Sequence, residues 1–240
     1  MTQPCGAARF ILASASPARR SVLRAAGIEP LVRVSGVDED AALAELGPDA
    51  PPGSVVTTLA RAKAIDVARA LAGGNTGADR AAEQDAAAGA DTPDDAVIVG
   101  CDSMLHIDGL LQGKPHTVDA ARARWRTMAG RSGDLLTGHC VLRLAGGRVI
   151  DEASAVCSTT VHFGTPGDAE LEAYLSTGEP LEVAGAFTLD GLGGWFVDSI
   201  EGDPSSVIGI GLPLVRTLVG RVGLDVAQLW AENAPAQVGV

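Results

Sequence analysis

Long apolar runs are missing from this chain of 240 residues, and no stretch approaches the ~20 residues that a membrane-spanning helix requires. The N-terminal stretch also lacks the basic-then-apolar pattern of a secretory signal, so a cytoplasmic protein is expected. Aromatic residues make up 3% against 46% hydrophobic residues, so Val, Leu, Ile and Ala must fill the core. Cysteine is scarce. Cys5, Cys101, Cys140 and Cys157 form no C-x-x-C pair, which argues against a zinc knuckle or a dithiol redox site. There is no Walker A sequence, no G-x-G-x-x-G after a strand and no G-x-S-x-G elbow. The four histidines, His106, His116, His139 and His162, show no ligand spacing.

Positive charge is also in short supply: 18 Lys and Arg face 30 Asp and Glu, a net charge of -12. General affinity for a nucleic acid backbone or an anionic membrane is therefore not expected. A small polyphosphate is compatible with this balance only where cations or a metal gather locally.

What is present alternates between strand and helix. RFILA (9–13) reads as a short buried strand, followed by a turn in which Ser16 caps a helix beginning at Pro17 and ending at Gly27. A second helix is expected over 54–71. The stretch 73–95 turns to Gly, Ala, Asp, Asn and Thr without periodicity and reads as a solvated, flexible insertion. AVIVGC (96–101) reads as a strand covered on both faces, with Asp102 and Ser103 at its end. Thr117 caps a third helix. Strands follow near 137–144, 148–151 and 153–163, the first two joined through Gly146-Gly147. Thr165-Pro166 opens another helix, closed by Gly178. A Gly-rich segment over 185–211 precedes a last helix near 213–222. The pattern is α/β, with an antiparallel part in the second half.

Three places carry candidate chemistry. At the start of the first helix, unsatisfied backbone N–H groups meet the hydroxyls of Ser14 and Ser16. Arg19 and Arg20 in its first turn oppose the helix dipole, a placement explained equally by a bound anion or by two solvated arginines. In the second helix, Val56, Leu59, Ala60, Val67, Ala70 and Leu71 form an apolar stripe, with Lys63 near its centre. The Lys63 ammonium either snorkels to water or ends in a cleft; a mid-stripe position favours the cleft. On the stripe alone, Lys63→Met should hold or raise stability. Asp102 follows a buried strand, where open α/β sheets place ligands, and it suits metal binding, general-base work or plain turn capping. Lys114 lies in a constrained loop, Gly113-Lys114-Pro115, and also fits a surface turn. The loop Gly191-Leu192-Gly193-Gly194 either approaches a ligand or makes a turn.

These segments resemble the Maf family. SASPARRSVL (14–23) is similar to its S-x-S-P-R-R-x-x-L-L signature. VDED (37–40), LARAKA (59–64), GCDS (100–103) and GKP (113–115) follow in the family's order, then AGAFTLDGLGG (184–194), EGDPSSVIG and GLPL. The match spans about Arg9 to Val219. The resemblance implies an ITPase-like α/β fold with a mixed sheet, in which two lobes of one domain surround a central cleft. It implies cleavage of nucleoside triphosphates to a monophosphate and pyrophosphate with Mg²⁺ or Mn²⁺. It puts catalysis on Asp102, metal binding on Asp102 and Glu39, and phosphate binding on Ser14, Arg19, Lys63 and Lys114, to which the first-turn position in the first helix adds Arg20.

Three positions depart from family patterns and bear on specificity. Ala18 replaces the first arginine of the signature. Asp190 stands where the branch preferring dTTP and UTP carries glutamine, and Ser103 stands where it carries threonine. The branch acting on 7-methylated GTP has an acidic residue at the position of Asp190. A homodimer, a phosphatase releasing orthophosphate and a non-catalytic nucleotide-binding regulator of cell division all stay open.

Overall fold

The computed structural model describes residues 8–47, 49–72, 93 and 95–235. The chain runs β1 (Arg9–Leu12), α1 (Pro17–Ala25), β2 (Leu31–Val32), α2 (Glu39–Ala44), α3 (Pro52–Ala72), β3 (Asp95–Ile107), β4 (Leu110–Gln112), α4 (Val118–Met128), β5 (Ser132–Ala145) and β6 (Arg148–Phe163). It continues with α5 (Asp168–Ser176), β7 (Val197–Glu201), α6 (Pro204–Ile208), α7 (Leu212–Arg221) and α8 (Val226–Asn233), with short 3-10 turns between α5 and β7. The mixed sheet has seven strands in the order β2-β1-β3-β5-β6-β7, with β4 also on β3. Among the described residues, the parallel pairings are those of β1 with β2 and β3; β3, β5, β6 and β7 are antiparallel neighbours. The fold is α/β, as expected. Among the described residues no helix is long and apolar enough to cross a membrane.

Local chemistry explains much of this. Ser16 accepts a hydrogen bond from the Arg19 N–H and Thr117 from the Ala120 N–H, the caps expected for α1 and α4. Gly146 and Gly147 both take positive φ (57° and 70°), as a tight two-residue hairpin between β5 and β6 requires. The α5 cap sits later than expected: the helix begins at Asp168, where Glu170 accepts from the Gly167 N–H at 2.7 Å.

Other expectations need correction. The buried strand does not stop at Cys101: β3 runs to Ile107, because β5 pairs with it from Asp95 through His106. Asp102 is therefore mid-strand rather than at a strand end. The two strands expected over 148–151 and 153–163 are one strand, β6. The short elements β2, β4, β7 and α2, and the terminal α8, lay below the reach of periodicity. The expected insertion falls mainly on residues 73–92 and 94, which lie outside the described residues, while Asp95 opens β3 and pairs with Ala145.

Three apolar clusters pack the sheet. One covers the face against α1, α7 and α8, built on Phe10, Leu12, Val97 and Leu218. A second joins α3 to the opposite face through Ile11, Ala60, Ala64 and Ile98. The third lies at the far ends of β3, β5 and β6, around the fully buried Trp125. Trp125 makes edge contacts with Phe163, Tyr174 and Phe196 and donates its Nε1 proton to the Ala186 carbonyl at 2.8 Å. Five of the eight aromatic residues, Trp125, Phe163, Tyr174, Phe187 and Phe196, thus gather in this cluster. Helix α3 lies close on the sheet at two glycines. A Cβ on Gly100 would sit 2.2 Å from the Ala60 carbonyl oxygen, and one on Gly138 would sit 2.3 Å from that of Val56.

His139 on β5 ties the sheet to the Gly-rich segment. Its Nε2 accepts the Gly211 N–H at 2.8 Å, so Nδ1 carries the proton and donates to the Thr137 carbonyl at 3.0 Å. Burial, with the nearby Arg19 charge, pushes this imidazole down to about 4. The unfolded chain, with an ordinary histidine near ~6.5, binds the extra proton first. Stability should therefore fall as pH drops from ~6.5 towards about 4, by about 2–3 kcal/mol from this group. Denaturant unfolding at pH 7.5 and 4.5 checks this: His139→Asn should be the less stable protein at pH 7.5 yet lose less on acidification. Equal losses would remove His139 as the source.

Candidate active site

The cleft originates in a gap along one edge of β3. On that edge β1 pairs with Ala96 through Val99, and β4 pairs with Leu105 through Ile107. After Ala13 donates to the Val99 carbonyl, the chain turns away at Ser14 into α1. Among the described residues, therefore, no strand lies beside residues 100–104 on this edge. Side chains from several elements converge there on a cleft of about 640 Å³, within the range of small-ligand sites.

Lys63 reaches this cleft from α3. The close approach of α3 to Gly100 and Gly138 sets the helix low enough for the Lys63 ammonium to meet Asp102 Oδ1 at 2.6 Å. The same ammonium lies 2.8 Å from Glu39 Oε1, offered by the first turn of α2. Lys63 and Asp102 are largely buried, with side-chain exposures of 14% and 11%, and Glu39 is half exposed. Snorkelling is thereby excluded: the ammonium ends between two carboxylates. Asp102 Oδ2 is buried with no hydrogen-bond partner among the described residues. Burial pushes the Asp102 carboxyl above its ordinary range, opposed by Lys63 and Arg19. The stripe itself is slightly shifted. Val56, Leu59, Ala60, Ala64, Val67 and Ala68 are buried, whereas Ala70 is exposed.

Arg19 is held on the other side of the cleft. Its Nε donates to the Gly209 carbonyl at 2.8 Å, Nη1 to Ser14 Oγ at 2.9 Å and Nη2 to Ser103 Oγ at 3.4 Å. Ser14 Oγ also accepts the Ser16 N–H at 3.2 Å, so the turn and the guanidinium share one hydroxyl. Thr137 gives its proton to the Ser206 carbonyl, which leaves Ser103 to donate to Thr137 and to accept from Arg19.

Arg20 is not brought to the cleft. It points out to Glu29, 3.0 Å away, and Arg24 shares that carboxylate. The reason is helical geometry, since adjacent residues point about 100° apart and only one arginine can face the cleft. Lys114 lines the cleft and pairs loosely with Glu182 at 3.5 Å. Its loop is anchored by the Gly113 carbonyl, which accepts from Arg124 and from the Gly185 N–H. Ala18 and Asp190 also line the cleft.

Glu182, His116, Thr188 and Leu189 line it as well and were not anticipated. Only His116, two residues after Lys114 and at positive φ (59°), carried a local hint. Cys101 and Cys140 are buried free thiols, each pushed up to about 11 by burial, so neither is a thiolate at neutral pH.

Among the described residues no group of three or more His, Cys, Asp and Glu gathers as a metal cage. The donor set offered is the pair Asp102 and Glu39. The partnerless Asp102 Oδ2 and the position of an ammonium between both carboxylates show that this pair suits a cation.

Comparison with known proteins agrees with the resemblance in the motifs. The family described as Maf-like protein matches residues 9–222. The chain is 65% identical to a nucleoside triphosphate pyrophosphatase of Rhodococcus jostii (strain RHA1), over 93% of this chain and 97% of that protein. It is 63% identical to one of Nocardia farcinica (strain IFM 10152), over 94% and 98%. It is 56% identical to one of Mycobacterium marinum (strain ATCC BAA-535 / M), also over 94% and 98%. With the family match spanning most of the chain and these relatives covered almost end to end, the chain belongs to the Maf-like protein family.

Proposed function

We propose that this protein is a nucleoside triphosphate pyrophosphatase, a hydrolase that cleaves between the α and β phosphates to release a nucleoside monophosphate and pyrophosphate. The observation that carries this is the convergence of Arg19, Lys63 and Asp102 on one cleft. Relatives named for that activity support it.

In this reading the single domain holds the nucleotide between two lobes. Ser14, Arg19 and Lys114 meet the phosphates, Arg19 arriving already oriented by Gly209 and Ser103. Preorganised donors of this kind cost no reorganisation when charge develops in the transition state. The Asp102 carboxylate accepts a proton from, or aligns, the water that attacks the α-phosphorus. Lys63 holds Asp102 in place through Oδ1 and keeps its buried charge tolerable. Electrostatic stabilisation supplies more of the rate than proton transfer.

The cleft is not basic enough to take a triphosphate unaided. Four lining carboxylates, Glu39, Asp102, Glu182 and Asp190, face three lining cations, Arg19, Lys63 and Lys114. Mg²⁺ or Mn²⁺ on Asp102 and Glu39 would, when bound, supply the missing positive charge against the phosphate oxygens. Ala18, Ser103 and Asp190 bear on which base is taken. Asp190 has no proton to donate as an amide would, so a preference for dTTP or UTP does not carry over. A cytoplasmic location fits a nucleotide substrate.

Incubation with triphosphates of ordinary and modified bases plus Mg²⁺ should give a monophosphate and pyrophosphate, and EDTA should stop it. Orthophosphate with a nucleoside diphosphate as first products would make the protein a phosphatase instead. Tight binding without turnover would make it a nucleotide-binding regulator.

A further inference from the structure

The Gly-rich loop Gly191-Leu192-Gly193-Gly194 does not line the cleft, and its leading backbone donors are already taken. The Glu179 carboxylate accepts the Leu192 N–H at 3.2 Å on Oε2 and the Gly193 N–H at 3.1 Å on Oε1. Oε1 also accepts the Thr188 hydroxyl, and Thr188 Oγ1 in turn accepts the Gly193 N–H at 3.1 Å. Burial alone would push this carboxyl up, but the donors around it hold it below the ordinary glutamate range, so it is charged at neutral pH.

The glycines make this closure sterically possible. A Cβ on Gly191 would lie 2.8 Å from the Glu179 carboxylate, and one on Gly193 would lie 2.6 Å from the Thr188 nitrogen and the Tyr174 hydroxyl. One on Gly194 would lie 2.8 Å from the Leu189 carbonyl oxygen. The loop is thus folded tightly on itself, with Glu179 at its centre. Its outer side is the segment Thr188, Leu189 and Asp190, which forms a wall of the cleft.

We propose that Glu179, which does not line the cleft, is a positioning residue for nucleobase discrimination: it clamps the glycine loop so that Thr188, Leu189 and Asp190 stand as a rigid wall against the base. This rests on the nucleotide reading of the cleft. The groups that meet the phosphates, Ser14, Arg19 and Lys114, belong to other segments of the chain, so disturbing the clamp should act on base selection.

Glu179→Gln keeps size and shape but puts an NH₂ against one of the donors, breaking one arm of the clamp. The test measures Kd by calorimetry, with Mg²⁺, for the α,β-methylene analogues of the four common ribonucleoside triphosphates. These cannot be cleaved at the bond in question, so the result stands whatever the hydrolysis assay gives. The ratio between the tightest and weakest of the four should narrow by about tenfold, the size expected for one charge-assisted hydrogen bond. Gly194→Ala, which touches neither Glu179 nor the cleft but pushes on Leu189, should narrow the same ratio. That second variant decides the matter if Glu179→Gln does not fold. A common rise of all four constants, or a wild type that binds all four equally, overturns the proposal.

Discussion

Asp102→Asn should lower kcat by ~10²–10⁴ at saturating nucleotide and metal, with the melting transition close to wild type. The amide oxygen can still accept from Lys63 in the place of Oδ1. Its NH₂ then occupies the place of Oδ2, a neutral donor where the carboxylate carried charge. The fold loses nothing essential, because Lys63 keeps its second carboxylate in Glu39 and a charge disfavoured by burial is removed. Steady-state kinetics paired with a thermal melt tests this. Full activity in a folded Asp102→Asn protein would show that the catalytic centre lies elsewhere.

Lys63→Met should lose most activity and, contrary to what the apolar stripe implies, should also lose stability. The methionine would suit the stripe. Yet the ammonium it replaces is the direct partner of a carboxylate that is 11% exposed, and a buried charge left unpaired costs ~3–5 kcal/mol. Because the pair opens to a cleft, about 2–4 kcal/mol is the expected loss near pH 8.

The sign with pH follows from Asp102. Burial already raises its carboxyl, and without Lys63 nothing at that distance opposes the rise. An acid whose folded pKa is raised loses stability as pH climbs through it, so the deficit of Lys63→Met should shrink at pH 5. Adding Asp102→Asn to Lys63→Met should restore most of the stability and none of the activity. Denaturant unfolding of the single and double variants at pH 5 and 8 gives the answer. A Lys63→Met protein more stable than wild type at pH 8 would mean that the ion pair contributes nothing to the fold.

Elements governed by near neighbours were legible in the sequence. The strand, Ser cap and helix at the N-terminus, the Thr117 cap of α4 and the double-glycine hairpin each depend on residues only a few positions apart. Of the site, Ser14, Arg19, Lys63, Lys114, Ser103, Asp190 and Asp102 all reach the cleft they were assigned to, and so does Glu39. Arg20 does not, since its neighbour Arg19 already uses the face of α1 that looks inward. Glu179 gave no signal at all. An acidic residue after a glycine looks like any solvated turn until the loop at 191–194 folds back onto it.

Taken by itself, the sequence determined the fold class, the order of the main elements and the residue types at the cleft. Capping, periodicity and motif spacing act over a turn or two of chain and do not depend on distant partners. Only the tertiary structure decided that β3 runs on past Asp102 with one edge open. The run-on depends on pairing with β5, and the gap on where β1 and β4 stop. It also decided that Lys63 serves two carboxylates, because Glu39 and Asp102 approach it from separate elements. Burial raises the cost of each lone charge, and that shared desolvation, which no local pattern encodes, binds the three residues into one site.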